Sequence, residues 1–151
     1  MKLMKFAGKK IQRALLRFSS MCIFCKIVAG EIPAYKIYED EDSLAFLDIN
    51  PVNPGHALVI SKKHAANLEE IEASDLQKLI VVVKIVGRLL KEKLGYAGYN
   101  VNISNDPVAG QEVPHLHFHL VPRKAGDGLM LWPHAQYAEG EAEEILRKLK
   151  S

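Results

Sequence analysis

Three histidines at strict two-residue spacing constrain the fold of this chain more than any other feature. His115, His117 and His119 stand in the run 115–121, and large apolar residues separate them. Successive side chains of an extended strand point to opposite faces, so the three imidazoles would share one face and the apolar residues the other. A helix would give neither a clean polar side nor a clean apolar side. The run therefore predicts a strand with one face in the core and the other in a site.

The hydrophobic patterns of the rest of the chain predict an α+β fold, an antiparallel sheet with one long helix on one face. Ser74 and Gln77 form a capping-box pattern at the start of that helix, and Gly95 suits its C-terminal cap. Short branched or aromatic runs bounded by turn formers predict the strands. The predicted elements are a short N-terminal helix over 24–29, strands over 35–38, 43–47, 57–60, 99–104 and 115–121, the long helix over 74–94 and a terminal helix over 141–150.

Composition limits the classes of protein that this chain can represent. Its 151 residues, 48% of them hydrophobic, suffice for one domain with a single core. No apolar run reaches the roughly 20 residues that a membrane span requires. The first twenty residues carry six Lys or Arg and no acid, which leaves 14 basic and 18 acidic residues beyond them. We therefore expect a soluble, cytoplasmic protein that does not bind nucleic acid through a basic body.

The segment 1–20 differs from the rest of the chain in being basic and amphipathic. It lacks the continuous apolar stretch of a secretory signal. A helix in contact with a membrane surface and a transit-like peptide are two interpretations. The third is that translation starts at Met21 and the first twenty residues are a disordered tail or no part of the natural protein. The chain is thus divided into this extension, a principal domain over 21–130, and a C-terminal tail and helix over 131–151.

The histidine strand carries chemistry suited to phosphoryl or nucleotidyl transfer. A neutral imidazole is a competent nucleophile near neutral pH, because its ordinary pKa is about 6.5. Neighbouring imidazoles, roughly 7 Å away along a strand, can donate to phosphate oxygens or protonate a leaving group. Just before the strand, Gly110 allows backbone N–H groups to approach an anion, and Gln111 offers an amide. The competing interpretation is a polar strand face that is accidental or binds metal.

The run HLHFHLV over 115–121 resembles the signature of the histidine triad (HIT) superfamily of nucleotide hydrolases and transferases, in its Hint-like, bacterial-type branch. Further segments fall in the family's order, so that the resemblance covers about residues 21–124. They are 22–27, 31–33, 38–40, 45–49, 55–56, 59–60, 62–64 and 109–111. The resemblance implies an α+β domain that pairs into a homodimer, with the long helix and a neighbouring strand at the interface.

The resemblance also implies roles for four histidines. His117 matches the nucleophile that takes a nucleoside monophosphate as a covalent nucleotidyl-histidine, which water later hydrolyses. His119 matches the group beside the phosphate and the leaving atom. His56 matches a fourth histidine that supports the triad, and His115 completes the triad itself.

Substrate contacts are implied in the same way. Asp48 matches the residue that binds the ribose hydroxyls, although an Asp before Asn50 and Pro51 is equally explained as a turn former. Gln111 and Asn102 match polar contacts on the phosphate side. Four residues match the apolar wall around the purine, although each could be plain core: Phe24, Ile27, Phe46 and Ile49.

One position departs from the family pattern. Glu112 stands where the phosphoramidase branch typically has a serine or threonine. A carboxylate pointing inward would repel phosphate, so we expect its backbone N–H to serve and its side chain to face away.

Cys22 and Cys25 are the only cysteines, and their C-x-x-C spacing is compatible with zinc, with a redox pair or with ordinary buried thiols. In bacterial-type relatives with this motif, the positions of His64 and His115 supply the remaining ligands. The resemblance therefore implies a structural zinc site of the Cys2His2 type, in which His115 would bind metal rather than substrate.

The sequence thus predicts a hydrolase of purine nucleoside 5′-monophosphate derivatives of the adenosine phosphoramidate type. No organic cofactor is expected. The alternatives are a diadenosine polyphosphate hydrolase or phosphorylase on the same triad, a nucleotide-binding regulatory module with little catalysis, and a purely structural zinc protein. The last would leave Gln111 and Asp48 without a role.

Overall fold

The computed structural model describes residues 22–151, so the interpretations of segment 1–20 fall outside it. The element order confirms the predicted α+β class. The elements are α1 (Ile23–Val28), β1 (Lys36–Glu39), β2 (Ser43–Leu47), β3 (Ala57–Ser61), α2 (Ala73–Leu94), β4 (Gly98–Asn102), a 3₁₀ turn (Pro107–Ala109), β5 (His117–Arg123) and α3 (Glu141–Lys150).

Five strands form one antiparallel sheet in the order β1-β2-β3-β5-β4. Strand β5 therefore lies between β3 and the edge strand β4. Its register places His117 opposite Ile60 and His119 opposite Leu58. Directly opposed residues project to the same face, so the two histidines share a sheet face with alternate residues of β3.

The two faces of the sheet are covered by different helices. The face that carries Leu116, Phe118 and Leu120 packs against α2, as the alternation in the sequence predicts. On the other face, Phe24 and Ile27 of α1 pack against β2 and β3. A short helix leaves much of that face open, and this is where a site can form.

The strand prediction over 115–121 is wrong at its start, because β5 begins at His117. The backbone N–H of His115 donates to Val113 O at 2.8 Å, and that of Leu116 donates to Ala65 O at 2.7 Å. Pro114 has no N–H to offer a ladder. The backbone N–H groups that could have extended the strand to His115 are therefore bonded elsewhere.

The predicted capping box is also wrong. Helix α2 begins at Ala73 with Glu72 as its N-cap residue, and no side chain caps it. Ser74 lies inside the first turn. Gly95 does end the helix in the left-handed conformation, at φ 73°, as predicted.

The C-terminal region presents apolar side chains to solvent. Large exposed residues occur both in the segment 130–137 and on α3, among them Met130, Trp132 and Leu149. Among residues 22–151, no helix has the length and apolar character needed to cross a membrane.

Candidate active site

A cavity of about 530 Å³ opens on the sheet face that carries His117 and His119. This volume lies within the range of small-molecule sites. Helix α1, strands β2 and β3 and the loop 110–113 surround it. The lining residues are Ile23, Phe24, Ile27, Ile32, Pro33, Ala34, Tyr35, Phe46, Leu47, Asp48, Ile49, Asn50, Val52, His56, Leu58, Gly110, Glu112, Val113, His117 and His119.

One hydrogen bond fixes the protonation of His117. Its Nδ1 lies 2.6 Å from the carbonyl oxygen of His115. A carbonyl oxygen only accepts, so Nδ1 must carry the proton and donate it. In the neutral ring Nε2 therefore holds the free lone pair, which is the form a nucleophile requires.

A second set of hydrogen bonds orders His56 and His119. The backbone N–H of Val52 donates to Nδ1 of His56 at 3.2 Å, so Nε2 of His56 carries that ring's proton. This Nε2 lies 2.9 Å from Nδ1 of His119 and donates to it. The remaining proton of His119 is then on Nε2, where it can be donated to a ligand.

Burial favours the neutral form of all three rings. It lowers the pKa of His117 and of His56, and Asp48 opposes the effect in both. Burial, together with the proximity of His117 and His56, lowers the pKa of His119 to about 4. The three imidazoles are therefore neutral at neutral pH.

Asp48 is both a turn former and a residue of the cavity, the two roles considered for it from the sequence. Its Oδ1 accepts the backbone N–H of Asn50 at 2.8 Å, which is a turn contact. Its Oδ2 lies 3.7 Å from Nδ1 of His56, and the residue lines the cavity. One oxygen thus shapes the turn while the other remains available on the cavity side.

The four residues expected around a purine all line the cavity. Phe24, Ile27 and Phe46 are buried, whereas Ile49 is 81% exposed. The Phe24 ring lies edge-on to His117, with 5.2 Å between centroids. Three of these residues are therefore both core and cavity wall, and Ile49 has no role in the core.

The two polar residues expected beside the phosphate, Gln111 and Asn102, lie close to the histidines but outside the cavity lining. Both atoms of the Gln111 amide are engaged, because Nε2 donates to Ala66 O at 2.6 Å and Oε1 accepts from Asp106 N at 2.8 Å. Asn102 on β4 lies opposite His119 in the register. Neither is among the residues that line the cavity.

Glu112 is among the residues that line the cavity, and the expectation that its backbone N–H serves the site while its side chain faces away stays a prediction. Leu58, which lies opposite His119 and also lines the cavity, is not among the site residues that the sequence predicts. Only strand register places Leu58 at the site, and the sequence of one strand does not encode its register with another.

A second cluster, of Cys22, Cys25, His64 and His115, lies beside the cavity. Nδ1 of His115 lies 3.4 Å from Sγ of Cys22 and 3.6 Å from Sγ of Cys25. Nδ1 of His64 lies 3.3 Å from Sγ of Cys25 and 3.3 Å from Nδ1 of His115. Neither cysteine takes part in a disulfide bond.

These separations match a tetrahedral zinc ion. Ligand bonds of about 2.05 Å to nitrogen and about 2.3 Å to sulfur place two nitrogens about 3.3 Å apart and a nitrogen and a sulfur about 3.6 Å apart. Nε2 of His115 donates to Ser61 O at 2.8 Å, which directs the lone pair of Nδ1 into the cluster. The donor set therefore fits zinc in both geometry and chemistry.

His115 links the two clusters. Its imidazole belongs to the Cys and His cluster, while its carbonyl oxygen accepts the hydrogen bond from Nδ1 of His117. A group that holds the His115 ring therefore also holds the oxygen that orients the candidate nucleophile.

Comparison with known proteins agrees with this geometry. The family model described as HIT domain matches residues 29–126. An uncharacterized HIT-like protein of Methanocaldococcus jannaschii is 49% identical over 130 residues, which cover 86% of this chain and 99% of that protein. The adenosine 5′-monophosphoramidase of Schizosaccharomyces pombe is 42% identical over 135 residues, 85% of this chain and 98% of that protein.

A solved structure shares the fold as well. The zinc-bound histidine triad family protein from Mycobacterium smegmatis has a TM-score of 0.71 at 36% identity, and the match covers 87% of this chain and 97% of that chain. Because the family model spans most of the chain and these relatives align over nearly all of it, the chain belongs to the HIT domain family.

Proposed function

We propose that this chain is a hydrolase of purine nucleoside 5′-monophosphate derivatives, of the adenosine phosphoramidate type. The observation that carries the proposal is the hydrogen bond from Nδ1 of His117 to His115 O, which leaves Nε2 free to attack. The similarity to a protein named adenosine 5′-monophosphoramidase supports the substrate class.

In the first step, Nε2 of His117 attacks the α-phosphorus in line with the bond to the leaving nitrogen. The N–P bond to His117 forms as the P–N bond to the amine breaks. The amine departs with a proton, which His119 is placed to supply from Nε2. The negative charge of the bound phosphate raises the pKa of His119, so that the ring takes up a second proton with the substrate and donates one to the amine as an imidazolium ion.

In the second step, water attacks the same phosphorus. An O–P bond forms and the N–P bond to His117 breaks, which frees the nucleoside monophosphate. The proton that water loses goes to the neutral His119, so that both rings recover the forms that they had in the substrate complex.

Different residues of the cavity lining suit different parts of the substrate. Phe24, Ile27 and Phe46 offer an apolar wall for the purine, and Oδ2 of Asp48 can accept the ribose hydroxyls. On the phosphate side, Asn102 lies opposite His119 on the neighbouring strand, and Gln111 acts indirectly by holding the loop before the histidines against Ala66.

We further propose that Cys22, Cys25, His64 and His115 hold a structural zinc ion. The donor separations support it, and so does the similarity to a zinc-bound family member. A closed site of four protein ligands supplies folding energy and no reactive water.

We also propose that the chain forms a homodimer through α2 and β4. The edge position of β4 and the exposure of Val101, Ile80 and Val81 support this interface. Sedimentation of the full chain and of a Val101→Glu variant tests it, since the variant should lower the fraction of dimer. A monomeric wild-type protein would exclude the proposed interface.

Replacement of the nucleophile tests the proposed activity. His117→Ala should abolish turnover of adenosine phosphoramidate while AMP still binds, as measured by calorimetry. His134→Ala, at an exposed histidine near the C-terminus, is the matched control and should keep wild-type turnover.

Near-normal rates in His117→Ala would show that another group is the nucleophile. Turnover of diadenosine polyphosphates and of adenosine phosphoramidate, measured side by side, distinguishes a diadenosine polyphosphate hydrolase from a phosphoramidase. Binding of AMP without turnover of either substrate would indicate a regulatory module.

A further inference from the structure

The β2–β3 turn, residues 49–55, depends on side-chain contacts for its position. Pro51 and Pro54 lie in it and have no N–H to donate. The backbone N–H of Val52 donates to the ring of His56 at 3.2 Å rather than to a carbonyl oxygen of the turn. A contact that holds this turn in place therefore also determines where the Val52 N–H meets the His56 ring.

Asn53 attaches the β2–β3 turn to strand β5. Its Nδ2 donates to Pro122 O at 2.9 Å and to Oδ2 of Asp127 at 3.3 Å. Pro122 belongs to β5, and Arg123 at the end of β5 holds Asp127 by bonds from Nε at 2.7 Å and from Nη2 at 3.0 Å. The side chain of Asp127 is only 4% exposed. Both acceptors of the Asn53 amide are therefore fixed relative to the strand that carries His119.

A short path of contacts leads from Asn53 to His119. The carbonyl oxygen of Asn53 accepts the backbone N–H of His56 at 2.9 Å, and the neighbouring Val52 N–H donates to Nδ1 of the His56 ring. The other nitrogen of that ring, Nε2, lies 2.9 Å from Nδ1 of His119. This contact orients the His119 ring and so directs its Nε2, from which the leaving amine takes its proton in the proposed mechanism.

We propose that Asn53 is a positioning residue that aligns His119 with the leaving amine, by holding the β2–β3 turn and the His56 ring against β5. The inference rests on the proposed hydrolase function. Asn53 is not among the residues that line the cavity, so it acts through His56. Loss of its amide should leave the attack by His117 in place and weaken the transfer of a proton to the leaving group.

Two substrates that differ in their leaving group test this role. An alkylamine needs a proton to depart from adenosine 5′-phosphoramidate, whereas 4-nitrophenolate departs from the 4-nitrophenyl ester of AMP as a stable anion. The ratio of kcat/KM for the amine substrate to that for the ester should fall about tenfold in Asn53→Ala, a part of the 10²–10⁴-fold that a positioned general acid contributes. Weaker binding of the shared nucleoside would lower both values alike and cancels in the ratio.

Asn100→Ala is the matched control for this substitution. The side-chain oxygen of Asn100 accepts from Nη1 of Arg123 at 2.7 Å, so the variant removes an amide from the same network and leaves the contacts of the β2–β3 turn in place. It should keep the wild-type ratio. Asn53→Leu keeps the approximate size of the side chain without its hydrogen bonds, and should show the same loss as Asn53→Ala. His119→Gln removes the proton donor itself and should lower the ratio further.

The protonation of the His56 ring gives a readout that a general loss of stability would not change. In the ¹⁵N-labelled wild-type chain without ligand, NMR of the imidazole nitrogens should show the His56 proton on Nε2, because the Val52 N–H occupies Nδ1. Asn53→Ala should give a mixture of the two neutral tautomers, since the Val52 N–H is no longer held at Nδ1. Asn100→Ala should keep the wild-type tautomer.

The proposal is overturned if the ratio stays at its wild-type value in Asn53→Ala or in His119→Gln, or if Asn100→Ala lowers it equally. A single His56 tautomer in Asn53→Ala would also overturn it. Turnover of both substrates by the wild-type chain would still support the hydrolase in each case. If the wild-type chain hydrolyses neither substrate, the proposed function itself fails, and this proposal fails with it.

Discussion

Acid should destabilise this fold, and His119 should account for a measurable part of the loss. Burial, with His117 and His56 nearby, lowers the pKa of His119 from its ordinary 6.5 to about 4 in the folded chain. Between these two values the unfolded chain binds a proton that the folded chain does not. Stability therefore falls as the pH drops below 6.5 and levels off below about 4.

The size of the effect follows from the two pKa values. One unit of pKa difference corresponds to about 1.4 kcal/mol. At pH 5.0 the unfolded imidazole is almost fully protonated and the folded one is almost fully neutral. The His119 contribution at pH 5.0, relative to pH 7.5, is therefore a loss of about 2 kcal/mol in the free energy of unfolding.

Urea denaturation of wild type and of His119→Gln at pH 7.5 and pH 5.0 measures this contribution. The side-chain oxygen of glutamine can accept the hydrogen bond that Nε2 of His56 donates. The other histidines and the Cys and His cluster are present in both chains, so most of their titration cancels in the comparison. Wild type should lose about 2 kcal/mol more than the variant between the two pH values. Equal losses would show that His119 is not held neutral by its surroundings.

Three further substitutions have defined outcomes. Asp48→Asn should lower kcat/KM for adenosine phosphoramidate about tenfold or more, because a charged acceptor for the ribose hydroxyls is worth about 1.5–3 kcal/mol, and steady-state kinetics checks this. Gly87→Ala should destabilise the fold by about 1–2 kcal/mol in urea denaturation: the added Cβ would overlap the Tyr99 ring, and overpacking outweighs the gain of about 1 kcal/mol in helix propensity. Cys25→Ser should lower zinc content well below one ion per chain and lower the thermal midpoint, as elemental analysis and calorimetry would show.

Each of these has a control. A full kcat/KM in Asp48→Asn would mean that the ribose is bound elsewhere, while Asp42→Asn, outside the cavity lining, should have no effect on it. Gly87→Ala combined with Tyr99→Leu should recover stability, and a stabilised single variant would contradict the close approach of α2 to β4. Unchanged zinc content in Cys25→Ser would exclude the proposed ligand set.

Local patterns in the sequence predicted those features of the fold that depend on residues close together in the chain. The alternation in 115–121 placed Leu116 and Phe118 against the long helix because strand periodicity alone determines which side chains face the core. The exclusion of His115 from β5 depends instead on the backbone bonds from His115 N to Val113 O and from Leu116 N to Ala65 O, and the second of these joins residues distant in sequence. Alternation could not reveal it.

The same distinction applies to the site. The resemblance identified the residues that meet in the cavity, such as Asp48, His56 and His117, although the chain separates them widely. It did not predict how their protons are arranged, because that depends on Val52 N and His115 O, which are backbone groups without a sequence signal.

Trapping the covalent intermediate tests the central claim most directly. Wild-type chain and His117→Ala are mixed with adenosine phosphoramidate and quenched within a single turnover under neutral denaturing conditions, because a phosphorus bond to histidine is labile to acid. Intact mass spectrometry followed by peptide mapping should find one adenylyl group on His117 of the wild type and none on the variant. An adduct on another residue, or rapid turnover with no adduct on His117, would contradict the account.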